Sequence, residues 1–198
     1  MKYLFFFALL ALSLSSFAQV GIGTPTPNSK AAVVGTAAVL AIGSNYQGGI
    51  VAYILQPGDP GYIAGEEHGL IAAVSDQSRG IQWYNGSFIE TGATAKVLGT
   101  GNANTNAIVA AQGAGSYAAK LCYDLVLNGY SDWYLPSKDE LNKLYLNRIA
   151  IGGFTNNFFY WSSSENDNDF AWGEFFVDGA PNDHDKDTTE YVRAVRAF

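Results

Sequence analysis

Cysteine is almost missing: Cys122 is the only one in 198 residues. A lone thiol forms no internal disulfide, so the fold has to hold through its core. Cys122 lies among Ala118, Ala119, Leu121 and Leu125, the setting of a small buried apolar side chain rather than a nucleophile. Histidine is equally scarce, with only His68 and His184, so no cysteine/histidine zinc spacing exists. Basic residues number 11 against 18 acids, a net charge of −7. A chain of that sign repels phosphate backbones, which argues against nucleic acid as a partner. The longest apolar run, Leu4 to Leu14, is shorter than the roughly 20 residues a helical membrane span needs.

That run has a different reading. Lys2 precedes it, and Ser15-Ser16-Phe17-Ala18 follows with a small-x-small pattern. Residues 1–18 therefore read as a secretory signal peptide cut after Ala18, which places the protein outside the cytoplasm, at the cell surface or in the periplasm. Residues 19–45 read as an extended leader. Gly21 to Ser29 is rich in Gly, Pro and Thr, and Ala31 to Ile42 is small and apolar with weak periodicity. Residues 46–198 are left as one domain, enough for a single core.

Within that domain the most legible stretch is Asp132-Trp133-Tyr134-Leu135-Pro136-Ser137, followed by Glu140 and Leu141. Pro136 biases Leu135 away from helix. Ser137 and Glu140 have capping-box spacing, so the serine oxygen can take the Glu140 amide and the carboxylate can reach back to the serine amide. Leu141, Leu144 and Tyr145 then form one apolar stripe. An extended segment thus hands over to a short amphipathic helix, with an aromatic pair buried at the join.

Apolar runs bounded by turn residues predict strands at Ile50–Leu55, Gly69–Val74 and Ile81–Tyr84. Thr105 to Val126 reads as helical, capped at Asn104 or Thr105, broken near Gly113 and Gly115, and closed by Asn128-Gly129. From Phe158 the period becomes two. Strands are expected over Phe159–Ser164, Phe170–Val177 and Tyr191–Phe198, separated by polar loops at Glu165–Asp169 and Asp178–Glu190. The class is α+β. Trp133, Trp161 and Trp172 are expected mainly in the core. Trp83, beside Asn85-Gly86, is open to a surface role or a core one. Arg193 and Arg196 are three apart on a strand, so they face opposite ways. Structural ion pairs are expected of them, with Glu140, Asp132 or Glu165 as partners.

The two polar loops carry the candidate ligand-binding residues: Asn166, Asp167, Asn168 and Asp169 from the first, and Asn182, Asp183, His184 and Asp185 from the second. Short polar loops on rigid strands are a common place for recognition. Asp183, Asp185 and Asp187 repeat the first three ligand positions of a calcium loop, which makes calcium a candidate cofactor. Thr188 stands where an EF-hand needs glycine and Ala194 where it needs glutamate, so an EF-hand is excluded. Glu165, Asp167 and Asp169 could add carboxylates. Ser162-Ser163-Ser164 has no Gly-x-Ser-x-Gly frame and reads as strand.

Taken together, Asp132 to Ser137 with Glu140-Leu141, Tyr160-Trp161-Ser162-Ser163-Ser164-Glu165, Ala171-Trp172 and Tyr191-Val192-Arg193-Ala194-Val195-Arg196 resemble the Lcl C-terminal domain family. The resemblance runs from about Gly48 to Phe198. It implies a C-type-lectin-like fold shared with formylglycine-generating-enzyme relatives: two main helices beside a twisted antiparallel sheet, with first and last strands paired, here the Ile50 strand with the Val192 strand. It implies binding rather than catalysis, to a glycan or a surface protein ligand. Polyanionic glycans are among the ligands attributed to the family's namesake. The acidic C-terminal loops of this chain depart from that picture, since they repel a sulfated polymer unless a cation intervenes. Two other expectations stay open. One is an enzyme of the formylglycine-generating type, resting on Cys122 or Ser163. The other is a structural cap of a surface fibre, oligomeric through residues 20–45.

Overall fold

A computed structural model describes residues 40–198. The expected signal peptide and residues 19–39 of the expected leader lie outside them. No helix among the described residues is long and apolar enough to cross a membrane.

The chain opens with β1 (Asn45–Tyr46), β2 (Gly49–Ile54), β3 (Gly69–Ala72) and β4 (Ser78–Gln82). Helices α1 (Gly101–Gln112), α2 (Ala118–Tyr123), α3 (Lys138–Leu146) and α4 (Arg148–Ile151) follow. The chain closes with β5 (Phe159–Glu165), β6 (Phe170–Phe175), β7 (Ala180–Asp185), β8 (Thr189–Val192) and β9 (Val195–Ala197). The strands form two sheets, β1-β2-β3-β9 and β4-β8-β5-β6-β7. Pairing is antiparallel except between β5 and β8, which meet in parallel at Tyr160 and Tyr191. The α+β class holds.

The strand pairing expected between Ile50 and Val192 does not. Ile50 pairs with Asn45 and Ala72, whereas Val192 pairs with Ser78 in the other sheet. The first and last strands share a sheet but are not neighbours, because β2 and β3 stand between them. The cause is a break in the tail at Arg193-Ala194. The Arg193 guanidinium is buried against Asp76 at 2.7 Å, and the Ala194 amide donates to the Gln77 side chain rather than to a neighbouring strand. The tail therefore leaves one sheet as β8 and enters the other as β9, where Ala197 pairs with Leu70.

The aromatic junction behaves as its spacing requires. Ser137 Oγ accepts from the Glu140 amide, and Glu140 Oε2 accepts from the Ser137 amide at 2.7 Å, a complete capping box at the start of α3. Glu140 is fully buried and also accepts from the Gly99 amide at 2.9 Å. Leu141 and Leu144 bury the inner face of α3 against Tyr160, Phe176 and Val195. Each such side chain, fully buried, contributes about 1.5–3 kcal/mol. A second cluster joins Trp83, Trp133, Trp161, Ile108 and Cys122 beneath α1 and α2. Trp83 is therefore core, and its Nε1 donates to the Ser162 carbonyl at 2.9 Å.

The first helix begins at Gly101, earlier than the expected Asn104 or Thr105 cap. Those two side chains are buried inside the helix and serve other segments. Asn104 donates to the Ala95 carbonyl, and the Thr105 hydroxyl accepts from the Leu135 amide. Gly113, at φ +72°, ends α1 where the sequence placed the break. Asn128-Gly129 is not a helix cap. Both residues have positive φ and turn the chain between the bridged residues Leu127 and Tyr130.

The second polar loop is likewise corrected. Within Asp178–Glu190, the six residues Ala180–Asp185 form strand β7, paired in register along the whole of β6. An edge strand that is largely exposed, with only Asp183 and His184 partly covered, carries no apolar alternation, so the period of two was invisible there.

Candidate functional site

The exposed side chains that gather most chemistry lie where β6 and β7 pass beside α3. Asp183 is the in-register partner of Trp172, and side chains of paired residues share a face. Asn166, from the β5–β6 turn, donates to Asp183 Oδ2 at 2.7 Å. Two lysines from distant segments sit over the Trp172 ring, Lys138 Nζ at 3.5 Å and Lys96 Nζ at 4.7 Å from its centroid.

The serine run builds this convergence. The Ser164 hydroxyl accepts from the Lys138 amide at 3.0 Å and donates to the Ala95 carbonyl at 2.8 Å, so one side chain fixes both lysine-bearing segments. The Asp139 amide donates to the Lys96 carbonyl at 2.9 Å and locks them together. Ser162 Oγ donates to the Trp172 carbonyl at 2.7 Å. Ser162, Ser163 and Ser164 are all buried and position their neighbours.

Trp172 differs from the other tryptophans. Trp83, Trp133 and Trp161 are buried, and the Nε1 of each donates to a backbone carbonyl. Trp172 is only half-buried, and its Nε1, although enclosed, makes no hydrogen bond among the described residues.

Two residues further along β6, on the same face, lies Glu174, 2% exposed, with Asn142 Nδ2 donating to it at 2.8 Å. Desolvation pushes its carboxyl up to about 7, against the opposing pull of the Asn142 hydrogen bond and the Lys138 charge. Desolvation and the neighbouring Lys96 lower Lys138, while Asp139, Glu174 and Asp183 pull it back. A carboxyl raised on folding stabilises the fold most when protonated, below its unfolded value near 4.5. That contribution is lost as pH rises through about 7. Glu174→Gln is therefore expected to flatten the fall in stability between pH 5 and pH 8, by about 2 kcal/mol. Urea unfolding of both proteins at the two pH values checks this, and parallel pH profiles would refute it.

The remaining expected site residues are dispersed. Asp167 shapes the β5–β6 turn by accepting from the amides of Asp169 and Phe170. The Asn168 side chain donates to Asp169 within the same turn. Asn182 and His184 alternate with Asp183 and so face the opposite side of the sheet. There His184 packs on Phe159 with ring centroids 4.1 Å apart, and its Nδ1 lies 2.9 Å from Glu190. Asp185 pairs with Phe170 at the far end of the hairpin. Of the eight residues, Asn166 and Asp183 stand beside Trp172, and Asp185 shares that side of the sheet two residues further along β7.

Calcium finds no converging carboxylates. Asp183 and Asp185 are about 6.8 Å apart along a strand, and Asp187 lies in the turn beyond. Among the described residues no three His, Cys, Asp or Glu side chains form a metal-holding group. Glu165, expected to reinforce such a site, is buried. It meets Lys186 Nζ at 2.6 Å and accepts the amides of Thr91 and Gly92.

Cys122 is fully buried, and desolvation pushes its thiol well up. The native protein is expected to leave a disulfide-exchange reagent such as dithionitrobenzoate unreacted at pH 8 over minutes, with the thiol titrating only in denaturant, since the thiolate is the reactive form. Rapid colour release from native protein would contradict this.

Lys96 and Lys138 escaped sequence reasoning. Nothing in a lone lysine shows which tryptophan it will cover, and the face that α3 turns to the sheet is set by packing. The only advance signal was Ser137-x-x-Glu140, which placed Lys138 at the first turn of a capped helix.

A family model described as the Lcl C-terminal domain matches residues 72–196. No curated protein sequence matches the chain. Among solved structures, a fimbrial protein from Bacteroides ovatus ATCC 8483 is similar in fold. Its TM-score is 0.51 at 15% identity, over 74% of this chain and 43% of that one. The chain thus spans less than half of that protein.

Proposed function

Because this chain belongs to the Lcl C-terminal domain family, we propose that it is an exported, non-catalytic recognition or adhesion module of C-type-lectin-like fold that binds a glycan or surface ligand through the Trp172 face. The carrying observation is Trp172 itself. It is the one half-buried tryptophan, held rigid by Ser162 through its backbone, with Lys138 and Lys96 over its ring and Asp183 beside it. A half-buried aromatic ring that holds two ammonium donors over it, with a carboxylate acceptor beside it, presents fixed partners for sugar hydroxyls. The two ammonium groups answer the electrostatic objection raised by the acidic tail, because they place positive charge where a ligand would sit without needing a cation.

A glycan array probed with the mature chain and with Trp172→Ala tests this reading. Loss of an aromatic and its cation–π partners at a binding surface costs about 1–2 kcal/mol, roughly 5- to 30-fold in affinity. The variant should lose its array signal while melting within a few degrees of wild type. Unchanged binding by the variant would sink the proposal.

A second reading is supported by the likeness to the fimbrial protein: the domain serves as a building block or cap in a surface fibre. Sedimentation of the mature chain distinguishes the two, since a fibre component should associate and a free-standing binding module should remain monomeric.

A further inference from the structure

A separate cleft lies between the segment after β2, the start of α1 and the aromatic junction. We propose that it is a second binding site, specific for an acetamido sugar. The inference stands whether or not the Trp172 face binds a ligand.

The cleft has two lobes. One is a cavity of about 270 Å³ walled mainly by Leu55, Leu70, Leu98 and Phe198, with His68, held by the Phe198 carbonyl and Glu66, also lining it. The other, of about 280 Å³, is lined by polar groups that include Asn106, Ser131 and the exposed ring of Tyr123. Asn102, Asp132 and Tyr134 line both lobes and form the sill between them. An apolar cavity of about 150 Å³ accommodates benzene, so the first lobe has room for a methyl-bearing group and part of a ring.

The sill is rigid. Asp132 is held by Arg196 through two bonds of 2.7 Å, and this pairing keeps its carboxyl below the usual range. The Tyr134 hydroxyl donates to buried Glu140, which in turn holds the Gly99 amide at the cavity wall. The space above Gly101 is filled by Glu140 and the Ser137 amide, so the start of α1 cannot shift inward.

The chemistry of the sill selects the ligand. Asp132 presents acceptor lone pairs, since each oxygen takes one bond from Arg196 and has capacity for another. The Asn102 carbonyl is engaged by Asn106 at 2.8 Å, and its Nδ2 donates to nothing among the described residues. One acceptor and one donor, both lining the boundary of the two lobes, complement a secondary amide carrying a methyl group. The amide N–H meets Asp132, its carbonyl accepts from Asn102, and the methyl enters the apolar lobe. The sugar ring then lies in the polar lobe, where Tyr123 offers a stacking surface. Asp132 is neutralised by Arg196, so a neutral sugar suits the site better than an anionic one.

Titration of the mature chain with N-acetylglucosamine trimer and with glucose trimer, both β-1,4-linked, tests the assignment by calorimetry or NMR. The acetamido trimer is expected to bind at least tenfold more tightly. Asn102→Ala, at an exposed position, should weaken it at least fivefold. Leu98→Trp, which fills the apolar lobe, should abolish it. Should Leu98→Trp fail to fold, the Asn102→Ala result decides. Equal affinity for the two trimers, no binding of either at millimolar concentration, or binding unaffected by Asn102→Ala would overturn the inference.

Discussion

Lys186→Met is expected to destabilise the protein by about 3–5 kcal/mol, the range for breaking a buried ion pair by removing one partner. Lys186 and Glu165 have side chains 0% and 1% exposed, and the ammonium also donates to the carbonyls of Ile89 and Asn168. Methionine keeps the length of the stem but leaves Glu165 charged in the interior, held only by the Thr91 and Gly92 amides. Adding Glu165→Gln should recover most of the loss. The glutamine oxygen still accepts those amides, and no charge is then buried alone. Urea unfolding at pH 7 measures both. A loss below 1 kcal/mol in the single variant, or a double variant no better than the single, would refute the account. The consequence reaches the recognition face, because the lysine ties the turn bearing Asn166 to the segment around Ile89.

Arg193→Met should have a comparable effect, about 3–5 kcal/mol, for a different reason. Arg193 pairs with Asp76 and donates to the carbonyls of Ala73 and Gly153 while its guanidinium lies 4.2 Å from the centre of the Phe154 ring. These partners belong to segments that bracket the point where the tail passes from one sheet to the other. Arg193→Lys should restore only part of the stability, since one ammonium cannot span the acceptors that a planar guanidinium reaches in several directions. If Lys restored full stability, the fork geometry would be irrelevant and charge alone would suffice. The same unfolding series, with near-ultraviolet circular dichroism to report the aromatic packing, separates the two.

The partners of these two cations are set by contacts between segments distant in sequence. That Arg193 and Arg196 form structural ion pairs was legible, and Arg196 does hold Asp132, but the single strand expected to carry both on opposite faces is broken at Arg193. The partner of Arg193, Asp76, was not legible, because a distance of 117 residues carries no local pattern. Lys186 looked like one charge in a solvated acidic loop. Only the fold of the segment from Thr91 to Ala95 over β5 puts it in the interior.

Local order in the chain settled what local chemistry can settle. Ser137 and Glu140 cap α3 because three residues of helix bring their atoms together whatever surrounds them. Glycines at 113 and 115 interrupt the helical stretch because positive φ is cheap only there. The aromatic runs at Phe159–Trp161 and Phe170–Phe175 made strands because such side chains favour the pleated backbone, although β5 is buried on both faces and not on one. The tertiary structure decided the rest. It split the tail between two sheets, turned a polar segment into the edge strand β7, and sent Asp183 and His184 to opposite sides. It also brought Lys96 and Lys138 onto Trp172 through a single serine hydroxyl. Those outcomes depend on contacts between segments distant in sequence, where burial and charge pairing outweigh propensity, and no short window of residues contains both partners.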